Sequence, residues 1–244
     1  MMRNKHGFTL VELIVALFVG SLVLVAIYST VNIAQRSSSG LERRVVAQQD
    51  ARSALELMAA EIRMASFNPL SRDNIWIDVN NFDSDCGGIA FTNESYRGIR
   101  QAAANAIAIE MDINGDGSID DPNEIIRYRY DSANRYITRS TNCGGAQAFL
   151  GDTNANQNIK TVLVENNNAG IPVFRYFDGS GTDISANVVA NPADPLIGIP
   201  AIRRIEITLV ADTSNADVGS NTRRRIIYST SVIPRNHFAL IYIE

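Results

Sequence analysis

The longest apolar stretch of the chain lies almost at its start. The 20 residues from 8 to 27 contain a single charged side chain, Glu12. As a helix with a rise of about 1.5 Å per residue, this stretch is about 30 Å long, which matches the hydrocarbon core of a bilayer. Arg3 and Lys5 precede it, and basic residues stay on the cytoplasmic side. The pattern therefore predicts a transmembrane helix, with the rest of the chain exported.

A second apolar pattern follows with helical spacing. Between residues 51 and 65 the apolar side chains fall on one stripe, and charged side chains occupy the opposite face. We interpret this segment as a helix packed on a sheet, with a membrane-surface helix as the alternative. Pro69 ends the pattern, so residues 8–68 are predicted to form one long helix with a possible weak point at 37–40. The stripe consists of Leu55, Met58, Ala59, Ile62 and Ala65.

After Pro69 the helical period disappears and short strand-like segments take its place. Ile205, Ile207 and Leu209 alternate with polar neighbours, as in a sheet with one solvated face. Asn-rich segments at 154–158 and 166–170 are predicted to be exposed loops. The predicted class is α+β, with one long helix packed on an antiparallel sheet. The predicted strands are 88–92, 106–111, 124–130, 136–140, 160–165, 173–176, 204–210 and 224–233.

Composition and charge narrow the class of function. The chain of 244 residues is 45% hydrophobic and 20% charged, with a net charge of −4, which is typical of a folded protein. The acidic balance argues against a general nucleic-acid binder. The sequence also lacks a P-loop, a G-x-S-x-G elbow, an H-E-x-x-H pair and a G-x-G-x-x-G motif. We therefore expect neither an enzyme nor a nucleic-acid partner.

Two simpler interpretations of the N-terminal run explain only part of it. A secretory signal has a shorter apolar region of about 7–15 residues and a small-residue cleavage site close behind it, and no A-x-A site closely follows this run. A plain membrane anchor explains the length but not Glu12. A carboxylate in a spanning segment is costly and marks a functional site.

The residues Gly7-Phe8-Thr9-Leu10-Val11-Glu12 resemble the cleavage and methylation site of type IV prepilins. The resemblance implies that a membrane-bound prepilin peptidase cuts between Gly7 and Phe8 and methylates the new amino terminus at Phe8. It also implies that Glu12 meets the charged terminus of a neighbouring subunit during assembly. A carboxylate and an amine attract strongly in a medium of low dielectric constant, so the physics agrees with that role.

The same resemblance implies a domain organisation and a location. Residues 1–7 are the leader, 8–68 the long helix with its membrane-spanning part at 8–27, and 69–244 an exported, β-rich domain, which together make a pilin-like fold. The protein is expected in the bacterial inner membrane as a single-pass subunit with a periplasmic domain, and then in an extracellular filament. Its partners are expected to be other pilins, the prepilin peptidase and membrane lipid.

Size and layout resemble minor pilins of the PilW-like group, and also the J-type minor pseudopilins of type II secretion. The first implies a structural subunit that takes part in pilus assembly or initiation, at the tip. The second implies a short filament that pushes folded proteins out of the cell. A calcium-dependent adhesin or DNA-binding tip subunit is a further alternative.

A loop near the middle of the chain has the pattern of a calcium site. Residues 112–120 follow D-x-N-x-D-G-x-I-D, the first nine positions of an EF-hand loop. The twelfth position is Asn123, and the acid follows one residue later. A polar turn between two strands is the alternative, and a bound Ca²⁺ would have a structural role. The candidate ligands are Asp112, Asn114, Asp116, Ser118, Asp120 and Glu124.

Three further features belong to the exported part. Cys86 and Cys143 are each followed by two glycines, and cysteines outside the cytoplasm tend to pair; two free thiols are the alternative. Basic clusters at 203–204 and 223–225 are interpreted as strand ends on a solvated face, with DNA capture as the alternative. Trp76, the single tryptophan, is predicted to lie in the core.

Overall fold

The computed structural model describes residues 7, 9–72, 75–76, 96–119, 121–142, 144–151, 162–213 and 222–237. Its dominant element is helix α1 (Leu10–Arg63), which has 54 residues and is therefore about 80 Å long. The helix is continuous through residues 37–40, so the possible weak point there is absent. It ends before the predicted residue 68, because Ser66 adopts a positive φ of 66° and donates its backbone N–H to Glu110 O.

The first sheet is an antiparallel meander of five strands in the order β1-β2-β3-β4-β5. Each strand is bonded to its neighbours in sequence, so the connections are local. A long loop, which contains the predicted calcium pattern, separates the second strand from the third. The strands are β1 (Ile99–Ala103), β2 (Ala106–Glu110), β3 (Ile125–Asp131), β4 (Tyr136–Thr141) and β5 (Gln147–Leu150).

The second sheet is built around its longest strand. Strand β8 pairs along one edge with β9 and along the other with β6 and β7, all antiparallel. Two short helices, α2 (Asn166–Ala169) and α3 (Asn187–Ala190), and a 3₁₀ turn (Ile199–Ala201) lie in the connections. The strands are β6 (Val162–Val164), β7 (Phe174–Phe177), β8 (Arg204–Thr213) and β9 (Arg225–Val232).

The gap between β6 and β7 along the edge of β8 is closed by one side chain. Asn166 Nδ2 donates to Thr208 O at 2.8 Å, and Val210 N donates to Asn166 Oδ1 at 2.9 Å. The amide thus replaces a strand residue and satisfies two backbone groups that would otherwise be buried without partners. The prediction of an exposed loop at 166–170 is wrong at this residue, which is fully buried, because its side chain completes the sheet.

The C-terminal half of α1 packs on β8 and β9, and both sheets contribute to one core. The predicted stripe is confirmed, since Met58, Ile62 and Ala65 are fully buried and Leu55 and Ala59 nearly so. Three further alanines extend the stripe toward the membrane-spanning half and let the helix approach the sheet closely. These are Ala47, Ala51 and Ala54.

The α+β prediction is confirmed, and most predicted strands agree with the structure within a few residues. The structure adds β1 and β5, whose sequences IRQAA and QAFL lack the alternation that marks a strand. The predicted strand at 88–92 and the predicted loop at 154–158 lie outside the described residues.

Gly98 provides a test of the junction between the helix and the first sheet. Its φ is +79°, and a Cβ there would lie 2.6 Å from Ser66 Cα and 2.8 Å from Glu110 O. We expect Gly98→Ala to lower the free energy of unfolding by at least about 2 kcal/mol, through left-handed strain and overpacking. The measurement is thermal unfolding of the full chain in detergent.

Gly170→Ala is the matched control for this experiment. Gly170 also has a positive φ, +67°, but nothing lies within 4 Å of a Cβ placed there. This variant should therefore lower the free energy of unfolding by only about 1 kcal/mol, which is the cost of the backbone conformation alone. Equal losses for the two variants would contradict the close contact at Gly98.

Candidate functional site

Helix α1 begins with a capping box. Thr9 is the N-cap; Thr9 N donates to Glu12 Oε2 at 2.9 Å, and Glu12 N donates to Thr9 Oγ1 at 3.3 Å. The pattern T-x-x-E can be read from the sequence, but the analysis of the sequence alone missed Thr9. The carboxylate of Glu12 is thus turned toward the start of the helix, where the helix dipole favours negative charge.

The predicted cleavage site lies directly ahead of this cap. Gly7 is exposed, and helix α1 starts three residues after it, at Leu10. Phe8 lies outside the described residues, so the predicted cut between Gly7 and Phe8 stays a prediction. An exposed residue outside a helix, such as Gly7, is accessible to a peptidase.

The first half of α1 carries apolar side chains that nothing in the described part of the chain covers. From Leu10 to Ile27 the exposed fractions of the large apolar side chains range from 51% to 76%. This helix is long and apolar enough to cross a membrane. Because soluble proteins do not expose an apolar surface of this size, lipid or other helices must cover it.

The second half of α1 is tied to the first sheet by a partly buried polar cluster. Glu61 accepts from Arg139 Nη2 at 2.7 Å and from Arg139 Nε at 3.2 Å, and it also accepts from the hydroxyl of Tyr128. Burial, and then the hydrogen bond to Glu61, raise the pKa of Tyr128. The two-pronged contact between Arg139 and Glu61 fixes the rotation of the helix about its axis.

The predicted calcium loop connects β2 to β3 and is closed by its own hydrogen bonds. Asp112 is fully buried, and it accepts from Gly115 N at 2.6 Å and from Gly117 N at 3.0 Å. Glu124 is also buried, and it accepts from Ile113 N at 3.1 Å and from Asp121 N at 2.9 Å. These two carboxylates therefore hold the loop backbone.

The exposed part of the loop is arranged around one amide. Asn114 Nδ2 donates to Asp116 Oδ2 at 3.0 Å and to Asp121 Oδ2 at 2.6 Å. Hydrogen bonds from the backbone and hydroxyl of Ser118 lower the pKa of Asp116. Among the described residues no group of three or more acidic, His or Cys side chains is placed to hold a metal ion. Asp120 lies outside those residues, and the calcium site stays a prediction.

The other predicted residues are spread over the domain. Cys86 and Cys143 lie outside the described residues, so their pairing stays a prediction. Trp76 is buried, as predicted. Arg223 and Arg224 are exposed, whereas Arg225 pairs with Asp212 at 2.9 Å. Arg203 is half-buried, so the expectation of a solvated face does not describe it.

Asp112→Asn tests whether the hydrogen bonds of Asp112 stabilise the calcium-like loop. Asn at this position keeps one acceptor and turns an NH₂ group toward a backbone donor, so Asp112→Asn should lose about 1–3 kcal/mol of stability. Asp116→Asn is the control, since Asp116 is exposed and the loss should be under about 1 kcal/mol. Both are measured by thermal unfolding of the full chain in detergent with EDTA. A loss for Asp112→Asn no larger than for Asp116→Asn would contradict the role of its two hydrogen bonds.

Calcium itself is tested on the unaltered chain in the same assay. Binding by the loop raises the unfolding temperature in millimolar CaCl₂ relative to EDTA, and an unchanged temperature would remove the calcium prediction.

The start of the chain matches a known family model. Residues 2–28 match the prokaryotic N-terminal methylation motif. The chain matches no curated protein and no solved structure significantly. The matched range contains Gly7, the capping box and the exposed apolar half of α1, and the α+β arrangement behind it is pilin-like. The start of this chain is therefore prepilin-like.

Proposed function

We propose that this protein is a minor type IV pilin, a structural subunit that takes part in pilus assembly or initiation at the tip. The observation that carries the proposal is the division of α1 into an exposed apolar half within the methylation motif and a half packed on the domain. The exposed half lies in the inner membrane before assembly and in a bundle of like helices afterwards. Its apolar surface stays out of water in both states.

Glu12 has two sets of partners in this proposal. In the single subunit its carboxylate is satisfied by Thr9 of the same helix. After cleavage, the amine of Phe8 in a neighbouring subunit competes for that carboxylate, and the attraction is strong because lipid and packed helices have a low dielectric constant. The pairing sets the axial register between subunits.

Size supports a minor rather than a major subunit. The described part of the exported domain contains two sheets with nine strands, whereas a major pilin is usually shorter and has fewer strands. A pseudopilin of type II secretion would share this fold and this processing. Loss of pili with normal secretion in a deletion strain supports the minor pilin, and loss of secretion with normal piliation supports the pseudopilin.

Processing is tested on the protein purified from its native membrane. We expect N-terminal mass spectrometry to find a mature chain that starts at N-methylated Phe8. Inhibition or deletion of the prepilin peptidase should return the unprocessed start. A mature protein that begins at Met1, or beyond residue 27, would contradict the filament role and leave only a membrane-anchored domain.

The register role is tested by Glu12→Ala. This variant should insert into the membrane normally but should be incorporated into filaments at least about tenfold less, since it loses a charge pair in low dielectric. Immunoblots of membranes and of sheared filaments measure the two quantities.

Thr9→Ala is the matched control, because it removes the cap side chain and keeps the carboxylate. It should stay within about twofold of the native level, since a lost N-cap costs only about 1 kcal/mol. An equal defect in both variants would mean that Glu12 acts only through the cap.

A further inference from the structure

A cavity of about 410 Å³ lies on the exported domain, at the end of the second sheet where β7 ends and β8 begins. Its walls come from the turn at 178–181, from Arg203 and Arg204 at the start of β8, and from residues 233–237 after β9. Ile233 and Pro234 give it an apolar side. Three arginines and one aspartate line it, so its formal charge is positive although the chain as a whole is acidic.

Arg203 is a half-buried cation with no counter-ion among the described residues. Its Nη1 donates to Pro200 O at 2.7 Å and to Ile202 O at 2.8 Å, which fixes the guanidinium and leaves Nε and Nη2 uncommitted. Within the described residues no carboxylate forms an ion pair with it, and burial lowers its pKa. Other partly buried arginines of the domain do have carboxylate partners, namely Arg135 with Glu165 and Arg139 with Glu61.

The two neighbouring arginines are also available to a ligand. The guanidinium of Arg204 lies 3.7 Å from the centre of the Phe177 ring and contacts Glu206 only at 3.8 Å. Arg235 is exposed, and the described part of the chain provides it with no hydrogen bond or ion pair. The three arginines therefore bring more positive charge to the cavity than its walls compensate.

The acid in the cavity wall, Asp178, already accepts hydrogen bonds from its own turn. Asp178 Oδ1 accepts from Ser180 N at 2.8 Å and from Thr182 N at 2.9 Å. The hydroxyl of Ser180, together with these backbone contacts, lowers the pKa of Asp178. The carboxylate holds the turn and forms no ion pair with the arginines in the described residues. The cavity is thus complementary to an incoming negative group.

The position of the cavity separates it from the membrane. His237 in its wall is 3.0 Å from Ser66 Oγ, and Ser66 directly follows helix α1. Arg63 lies 36 residues after Ile27, which places this end about 54 Å along the helix axis from the end of the apolar run. A lipid headgroup therefore cannot reach the cavity. A nucleic acid needs a track of cationic groups along its backbone, whereas the three arginines of this site line a single recess.

We propose that this cavity binds the carboxylate of an Asp or Glu side chain on an acidic peptide segment of a partner protein. Arginine forks match the two oxygens of a carboxylate, and Ile233 and Pro234 can contact the methylene groups of the same side chain. Binding requires neither cleavage at Gly7 nor filament assembly. Failure of this inference is therefore distinguishable from failure of the proposed function.

The test uses the full chain in detergent and a fluorescein-labelled hexapeptide with two central glutamates and blocked ends. Fluorescence anisotropy should show saturable binding that weakens with added salt. The matched peptide with two glutamines should bind at least about tenfold more weakly, because it lacks the charge that the arginines recognise. A ten-nucleotide oligothymidylate is the competing phosphate probe.

Three variants distinguish peptide binding in the cavity from nonspecific attraction to the positive charges of the surface. Arg203→Gln and Arg235→Gln should each weaken peptide binding at least about threefold. Arg223→Gln, which removes an exposed charge outside the cavity, should stay within about twofold. Arg235 is exposed, so its variant keeps the fold even if Arg203→Gln lowers the unfolding temperature.

Four results would overturn the proposal. They are equal binding of the glutamate and glutamine peptides, native affinity in both cavity variants, no binding at millimolar peptide, and displacement of the peptide by a lower concentration of oligothymidylate. The last would assign the cavity to nucleic-acid phosphate instead.

Discussion

The apolar half of helix α1 cannot be left in contact with water, and this requirement organises the rest of the molecule. Burying such a surface is worth about 25 cal/mol per Å², and the described part of the β-rich domain buries none of it. The chain therefore depends on an external cover, which is lipid for the single subunit and neighbouring helices in the proposed filament. The domain has to hold the helix firmly without covering this half.

The second half of the helix is held on the domain by contacts of small side chains and by one ion pair. The alanines at 47, 51 and 54 allow close approach to the second sheet, while Glu61 reaches the first sheet through Arg139 and Tyr128. At the end of the helix, Ser66 leaves the helical path and bonds to β2. Because α1 has no break at 37–40, a force applied to either half is carried along a continuous helix to the domain.

The arginines of the domain that form ion pairs have a different role from Arg203. Arg135 and Arg139 form ion pairs with carboxylates distant in sequence, and Arg225 pairs with Asp212 across two neighbouring strands, so their contribution is structural. Arg203 is held by backbone carbonyls instead and keeps part of its guanidinium for an external anion. The calcium-like loop follows the first pattern, because Asp112 and Glu124 direct their oxygens to the loop backbone.

Elements with a local signal could be predicted from the sequence alone. The apolar run of residues 8–27 and the stripe from Leu55 to Ala65 predicted both halves of α1, and Gly7 with Glu12 identified the prepilin-like start, because periodicity and short motifs act within a few turns of chain. Features that involve residues distant in the sequence are visible only in the folded domain. Asn166 fills a gap in the sheet, Glu61 pairs with Arg139, and Arg203 joins Arg235 in one cavity. Such contacts arise when the sheets pack, and neighbouring residues in the sequence carry no trace of them.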